Sequence, residues 1–188
     1  MSKNMKKVVV LDLDDTVASF REPMYQLLKK LTNKDVHWND WDRYHVGESF
    51  YGMSGVDFCN HIVEHEVLQN IEPHDESAEV LTELYDRGYH VAIVSARSFH
   101  PDAENITKAW FDKYNLPYGS IHISTHVAPK ITVLEYDNIV VSVDDNIEHS
   151  QDYIDSNRVK NVLLYDMPWN KNSEIKRIKT LKEIYNYI

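Results

Sequence analysis

Val8-Val9-Val10-Leu11-Asp12-Leu13-Asp14-Asp15-Thr16 is the stretch on which the reading of the fold turns. A short apolar run rich in β-branched residues passes directly into acidic ones. A run without polar alternation suits a strand buried on both faces, as in a parallel sheet. The acids then stand at its carboxyl end. Alternate residues of an extended chain share a side, so Asp12 and Asp14 face the same way. Two carboxylates so close repel each other unless a cation intervenes. An Asp after a strand is also a common helix N-cap. Taken alone, the pair leaves both readings open.

Working outward, four more runs read as strands: Tyr89 to Val94, Ser120 to Ser124, Asn138 to Val143 and Asn161 to Tyr165. Helical patterns separate them. Ser77 to Arg87 stops at Gly88, a good C-terminal cap. Asp102 to Tyr114 carries Ala109, Trp110 and Tyr114 as apolar positions. Ile147 to Ile154 is a third helix, and Ser173 to Ile188 is expected to close the chain as a fourth. Alternating strands and helices predict an α/β fold, a doubly wound parallel sheet. One stretch breaks the rhythm. Val17 to Pro73 has no obvious strand and holds Trp38, Trp41, Tyr44, Phe50 and Tyr51, with three of the chain's five glycines. A simple crossover needs far less chain. The expected organisation is an α/β core from residues 1–16 and 74–188, with a small helical cap, 17–73, inserted after the first strand.

Composition narrows the partners. The 188 residues suit one domain with an insertion, and the apolar fraction of 43% is ordinary. A net charge of −10 repels nucleic-acid backbones and anionic membranes, so polymeric nucleic acid is an unlikely substrate. Cys59 is the only cysteine, which excludes an internal disulfide and fits a reducing, cytoplasmic setting. Met1 to Lys7 is basic, but the apolar run behind it is too short for a signal peptide or membrane span.

Asp144-Asp145 repeats the strand-then-acid pattern. Neighbouring parallel strands would bring both clusters around one hard cation, and an all-oxygen donor set favours Mg2+. Ser95 follows Val91 to Val94, where its hydroxyl and the backbone beside it, including Ala96, could hold a phosphoryl oxygen. Lys130 follows Ala128-Pro129 and could neutralise charge on a phosphoryl group. The blander readings are a turn cap for Ser95 and a solvated surface lysine.

The order of acid pair, hydroxyl, lysine and second acid pair resembles the four motifs of the haloacid dehalogenase-like superfamily. The matching pieces are Asp12-Leu13-Asp14-Asp15-Thr16, Val94-Ser95, Lys130 and Val143-Asp144-Asp145. The second Asp of the first motif points to its phosphatases. A closer similarity is to the 5′(3′)-deoxyribonucleotidase family, carried by Phe20, the segment Lys108-Ala109-Trp110-Phe111-Asp112-Lys113-Tyr114, Asp144-Asp145 and the turn Pro168-Trp169-Asn170. The chain departs from that family at Asp15, where glycine is common, and at Ser95, where threonine is usual. It departs again at Ala96, where serine often follows, and at Asn146, where some members carry arginine.

The resemblance implies that Asp12 attacks phosphorus to form an aspartyl-phosphate. Asp14 would protonate the leaving oxygen and then deprotonate the hydrolytic water. Asp12, Asp144 and the backbone carbonyl of Asp14 would hold Mg2+, with Asp145 as a further or alternative ligand. Ser95, Ala96 and Lys130 would hold the phosphate. The substrate implied is a (deoxy)nucleoside monophosphate, with another small phosphate ester as the alternative. Phe20, Trp38, Trp41 and Tyr44 could form an aromatic slot for a base, or pack the cap's own core. Ser95-Ala96-Arg97 also resembles the hydroxyl-small-arginine motif of polynucleotide 3′-phosphatases, in which Arg97 would meet the substrate. A non-enzymatic phosphoacceptor domain is a remote alternative, since there the lysine follows the phosphoacceptor and hydroxyl positions on the last strand, whereas Lys130 precedes the second acid pair. His61 and His65 share a helical face that could hold a metal or simply be solvated, and Lys108 could assist Lys130. An aromatic cap could also serve a homodimer.

Overall fold

The computed structural model describes residues 6–125 and 128–188, so Met1 to Met5 of the basic start lie outside them. The chain opens with β1, Val8–Leu11, followed by β2, Ala18–Ser19. The inserted segment holds α1 (Arg21–Thr32), α2 (Gly55–Glu64) and α3 (Val67–Asn70), with single turns at Trp38–Asp40 and Gly47–Tyr51. It ends in β3, Glu72–Pro73. Then follow α4 (Ser77–Asp86), β4 (His90–Ser95), α5 (Ala103–Lys113) and β5 (Ser120–Ile123). The last part is β6 (Ile139–Asp144), α6 (Ile147–Asp155), β7 (Val159–Tyr165) and β8 (Arg177–Ile178).

Six strands form one parallel sheet in the order β5-β4-β1-β6-β7-β8. Helices cover both faces, and β1 shows why its sequence lacks alternation. Val9 and Leu11 point into one apolar cluster with α4 and α5, while Val8 and Val10 point into another with Ile131, Leu134 and Tyr153. From β1 the chain builds outward through β4 to β5, then crosses to the other side and continues through β6 and β7. The crevice between β1 and β6 is therefore the topological switch point, where open α/β sheets bind ligands.

The inserted segment leaves and returns side by side, because β2 pairs antiparallel with β3. Its aromatics divide by depth. Trp41 is 2% exposed, packs edge-on against Tyr51, and donates its indole N–H to the Val36 carbonyl. The same carbonyl accepts from the Tyr51 hydroxyl. The returning chain is fastened from α5, where the Trp110 indole and the Tyr114 hydroxyl both donate to the Ile71 carbonyl. Trp110 and Phe111 fill the interior below, whereas Ala109, expected as an apolar position, lies on the exposed side of α5.

The chain's end differs from expectation. Ser173 to Ile188 is not a helix: Arg177–Ile178 adds a sixth strand beside β7, and Leu181–Asn186 is a 3-10 helix. The cause lies in the spacing. Ile178, Leu181 and Ile184 are all fully buried at steps of three, which suits 3.0 residues per turn better than 3.6. A capping box, Thr180 with Glu183, starts that turn and stops any helix entering from upstream.

Asp15, which stands where glycine is common, also has a structural reason. Its φ is +60°, a left-handed conformation that Asp and Asn tolerate better than other side chains. Its Oδ1 accepts from the backbone N–H groups of Phe20 and Arg21, at 3.1 and 3.0 Å, and so caps the start of α1. Burial raises this carboxyl to about 6, against the lowering influence of Arg21. Asp15→Ala removes the cap and leaves a Cβ residue in the left-handed region, a loss of ~2 kcal/mol seen as a lower urea midpoint. Asp15→Asn keeps the acceptor and the tolerance without the buried charge. It is expected to melt no lower than the parent, and a fall equal to that of Asp15→Ala would disprove the capping account.

Candidate active site

Register brings the acids together. Leu11 of β1 lies beside Val143 of β6, and the Asp12 N–H donates to the Val143 carbonyl at 2.9 Å. Asp12 and Asp144 thus emerge next to each other from the switch-point crevice. Lys130 arrives from the other direction, on the 3-10 turn Lys130–Val133, and is 2% exposed. Its Nζ bridges Asp12 Oδ1 at 2.5 Å and Asp144 Oδ2 at 2.7 Å. Asp145, also buried, accepts from the Trp169 indole at 3.1 Å. Its backbone carbonyl accepts from the Asn170 amide at 2.9 Å. The turn Pro168–Asn170 therefore fixes the second acid of the pair. Asn146 caps α6 through its side chain and leaves its N–H to Asp144 Oδ1, at 3.0 Å.

Three carboxylates facing one ammonium do not balance. Burial raises Asp12 to about 7, opposed by Lys130 and reinforced by Asp144 and Asp14. Burial, with Asp12 and Asp144 beside it, pushes Asp145 well above the usual range. Burial pushes Asp144 up too, but Lys130 and then His149 overcome it and hold that carboxyl at about 2. The two partners of Lys130 diverge because Asp144 has a second basic neighbour, while Asp12 lies between two other acids. Ligand atoms of Asp12, Asp144 and Asp145 all lie within 4.8 Å of one another. An excess of buried negative charge on oxygen donors alone is what a hard divalent cation fits.

Asp14 stands beside this cluster, partly open to solvent. Ser95, at the end of β4, places its hydroxyl 3.4 Å from Asp14 Oδ2, and Ala96 follows half-buried. Arg97 departs from expectation. It is 1% exposed and grips Asp14 with two nitrogens, Nε at 2.8 Å and Nη2 at 2.5 Å. A buried cation must pair, and Asp14 is the carboxylate in reach. Arg97 is thus paired with Asp14, which gives no support to a polynucleotide 3′-phosphatase reading built on it.

Of the aromatics that could serve a base slot or a core, Trp41 packs on Tyr51 within the large apolar cluster that also holds Leu13, Val17 and Met24. Phe20 is half-buried where α1 begins, next to Asp15. Trp38 lies under the Arg21 guanidinium, 4.6 Å from its ring centre. Arg21 in turn reaches Met167 Sδ. Tyr44 is 44% exposed and meets the Trp169 ring edge-on at 6.2 Å. Burial and the neighbouring Asp145 carboxylate raise its phenol well above the usual range. In the sequence Trp169 is only part of a turn; its place over Asp145 depends on the β6–β7 pairing. Lys108 pairs with Glu104 on the surface and is not part of the cluster. His61, Glu64 and His65 gather at the end of α2, also with ligand atoms within 4.8 Å, apart from the acids of β1 and β6.

A family model described as 5′ nucleotidase, deoxy (pyrimidine), cytosolic type C protein matches residues 6–188. The chain belongs to this family. The deoxynucleotidase family is a branch of the haloacid dehalogenase-like phosphatases, and solved structures agree on the fold. A predicted phosphatase from Clostridium acetobutylicum superposes with a TM-score of 0.65 at 14% identity, covering 97% of each chain. A haloacid dehalogenase superfamily hydrolase from Ehrlichia chaffeensis gives 0.56 at 18% identity, again with 97% of each chain. A phospho-aspartyl intermediate analogue of phosphoserine phosphatase gives 0.56 at 17%, covering 98% of this chain and 99% of that one. No curated protein matches the sequence. Among the described residues, no helix of this deoxynucleotidase-family chain is long and apolar enough to cross a membrane.

Proposed function

We propose that this protein hydrolyses the phosphomonoester of (deoxy)nucleoside monophosphates with Mg2+, through an aspartyl-phosphate on Asp12, in the cytoplasm. The observation that carries the reading is the buried constellation at one switch point: Asp12, Asp144 and Asp145 around Lys130, with Asp14 and Ser95 at its edge.

Asp12 attacks phosphorus in line, and the bond from phosphorus to the ester oxygen breaks. Asp14 gives that oxygen a proton. A water then attacks the aspartyl-phosphate, and Asp14 takes its proton back. Lys130 and Ser95, with the backbone at Ala96, hold the phosphoryl oxygens. Asp12, Asp144, Asp145 and the Asp14 carbonyl would hold Mg2+, which supplies charge neutralisation that lets an anionic phosphate approach a carboxylate. The segment 17–73 acts as a cap. Phe20, Trp38 and Tyr44, with Trp169, offer ring faces and edges to a base.

A substrate panel tests the reading. With Mg2+, kcat/KM for nucleoside monophosphates is expected to exceed that for sugar phosphates by ~10-fold or more, since base–aromatic stacking contributes ~1–3 kcal/mol per base. Equal values on both classes would rule out a base-reading cap, while leaving the phosphatase chemistry intact.

A further inference from the structure

We propose that Arg97, with Thr107 behind it, is a positioning residue that fixes Asp14 for the water-activating half of the reaction. The inference rests on the phosphatase reading above and extends it to a residue outside the acid cluster. Arg97 lies two residues past the end of β4, and Leu11 of β1 is in register with Ile93 of β4. The strand pairing therefore delivers a guanidinium to the flank of Asp14, across 83 residues of sequence. Nε meets Asp14 Oδ2 and Nη2 meets Oδ1, so the planar fork engages both carboxylate oxygens and sets the plane of the group. The third nitrogen, Nη1, donates to Thr107 Oγ1 of α5 at 3.2 Å. Thr107 is itself fully buried. The buried guanidinium is thus held from α5 as well as by Asp14. Asp14 is about a quarter exposed on its side chain, so one side stays open to a water. Oδ2 accepts from both Arg97 Nε and the Ser95 hydroxyl, whereas Oδ1 accepts from Nη2 and keeps a further lone pair for that water.

The assisted step is the second one. A water oxygen bonds to phosphorus, the bond from phosphorus to Asp12 breaks and returns its electron pair to the Asp12 carboxylate, the water's proton passes to Asp14, and inorganic phosphate leaves. A carboxylate free to rotate spends little time aimed at that water, and a misplacement of ~1 Å lowers a rate by ~10²-fold.

4-Nitrophenyl phosphate separates the two halves, because its leaving group departs without a proton. In stopped-flow, Arg97→Lys keeps a charge but not the fork. Its first turnover is expected to release 4-nitrophenolate at a rate within ~3-fold of the parent's. Its steady-state rate then falls ~100-fold, and KM falls with it. The milder Thr107→Val, which leaves the fork in place, is expected to show the same signature at ~5-fold, and it serves if Arg97→Lys fails to fold. First turnover and steady state slowing together would overturn the proposal, because that is the mark of a general structural role. A raised KM at unchanged kcat would overturn it as well, because Arg97 would then be binding phosphate. A parent protein inactive on both aryl and nucleotide esters would sink the phosphatase reading itself, and this assignment with it.

Discussion

Asp12→Asn is expected to abolish turnover, lowering kcat by at least ~10⁴-fold, while the protein stays folded. The amide has almost the shape of the carboxylate but is no nucleophile, so no covalent phosphoenzyme forms and the reaction is left to positioning alone. The fold tolerates the change for reasons visible in the site. Asp12 is buried and its proton affinity is raised to about 7, so the charge is poorly accommodated even beside Lys130. The introduced amide oxygen still accepts from the Lys130 ammonium, and the desolvation of a charge is relieved. The melting temperature is accordingly expected to move by only a few degrees. The check is kcat with saturating Mg2+, alongside thermal melting of the same preparation. Retention of more than ~1% of activity, after exclusion of contaminating phosphatase, would remove Asp12 from the centre of the mechanism.

Asp12 was legible in the sequence because everything that marks it is local: a β-branched run, then acids at alternate positions. Ser95, Lys130 and Asp144 were legible for the same reason, each following an apolar run in a fixed order. Arg97 was not. Its sequence context resembles a phosphate-binding motif, and only the pairing of β4 with β1 shows that Asp14 takes its guanidinium. The aromatics of the inserted segment are undecided in the sequence for a related reason. Trp41 and Tyr44 are three residues apart and both aromatic, yet one is buried in the core and the other meets Trp169. Depth depends on which other elements arrive, and periodicity carries no such information. The closing strand is not legible because Arg177–Ile178 is too short to show a pattern, and among the described residues it pairs only with β7.

Lys130 tests how the buried charges are balanced. Lys130→Met keeps most of the apolar stem but leaves Asp12, Asp144 and Asp145 together without their shared cation. Replacing a whole buried ion pair with apolar groups is often harmless, whereas removing one partner strands the other and costs ~3–5 kcal/mol. The lower end is expected here, because Asp12 and Asp145 already bind protons readily and take them up when the ammonium is gone. The sign of the pH dependence follows from Asp144. Its carboxyl is held at about 2 in the folded protein against an ordinary 3.8, so pairing with Lys130 stabilises the fold at pH above ~4. That contribution, ~2 kcal/mol, is lost as pH falls through about 2. The gap between parent and variant is therefore widest near neutrality and narrows below pH 4. Urea unfolding at pH 7.5 and pH 3, without divalent cations, compares the full gap with one reduced by about half of the Asp144 contribution. Mg2+ at 100 times its dissociation constant should return up to ~2.7 kcal/mol to the variant at pH 7.5, since a cation bound only by the folded state stabilises it. Activity is a separate readout and should fall ~10²–10³-fold, the range expected on losing a preorganised charge aimed at the phosphoryl group. If Lys130→Met is as stable as the parent in metal-free buffer and gains nothing from Mg2+, the three acids are not a charge-imbalanced cluster. The case for a cation among Asp12, Asp144 and Asp145 would then fall, whatever the activity shows.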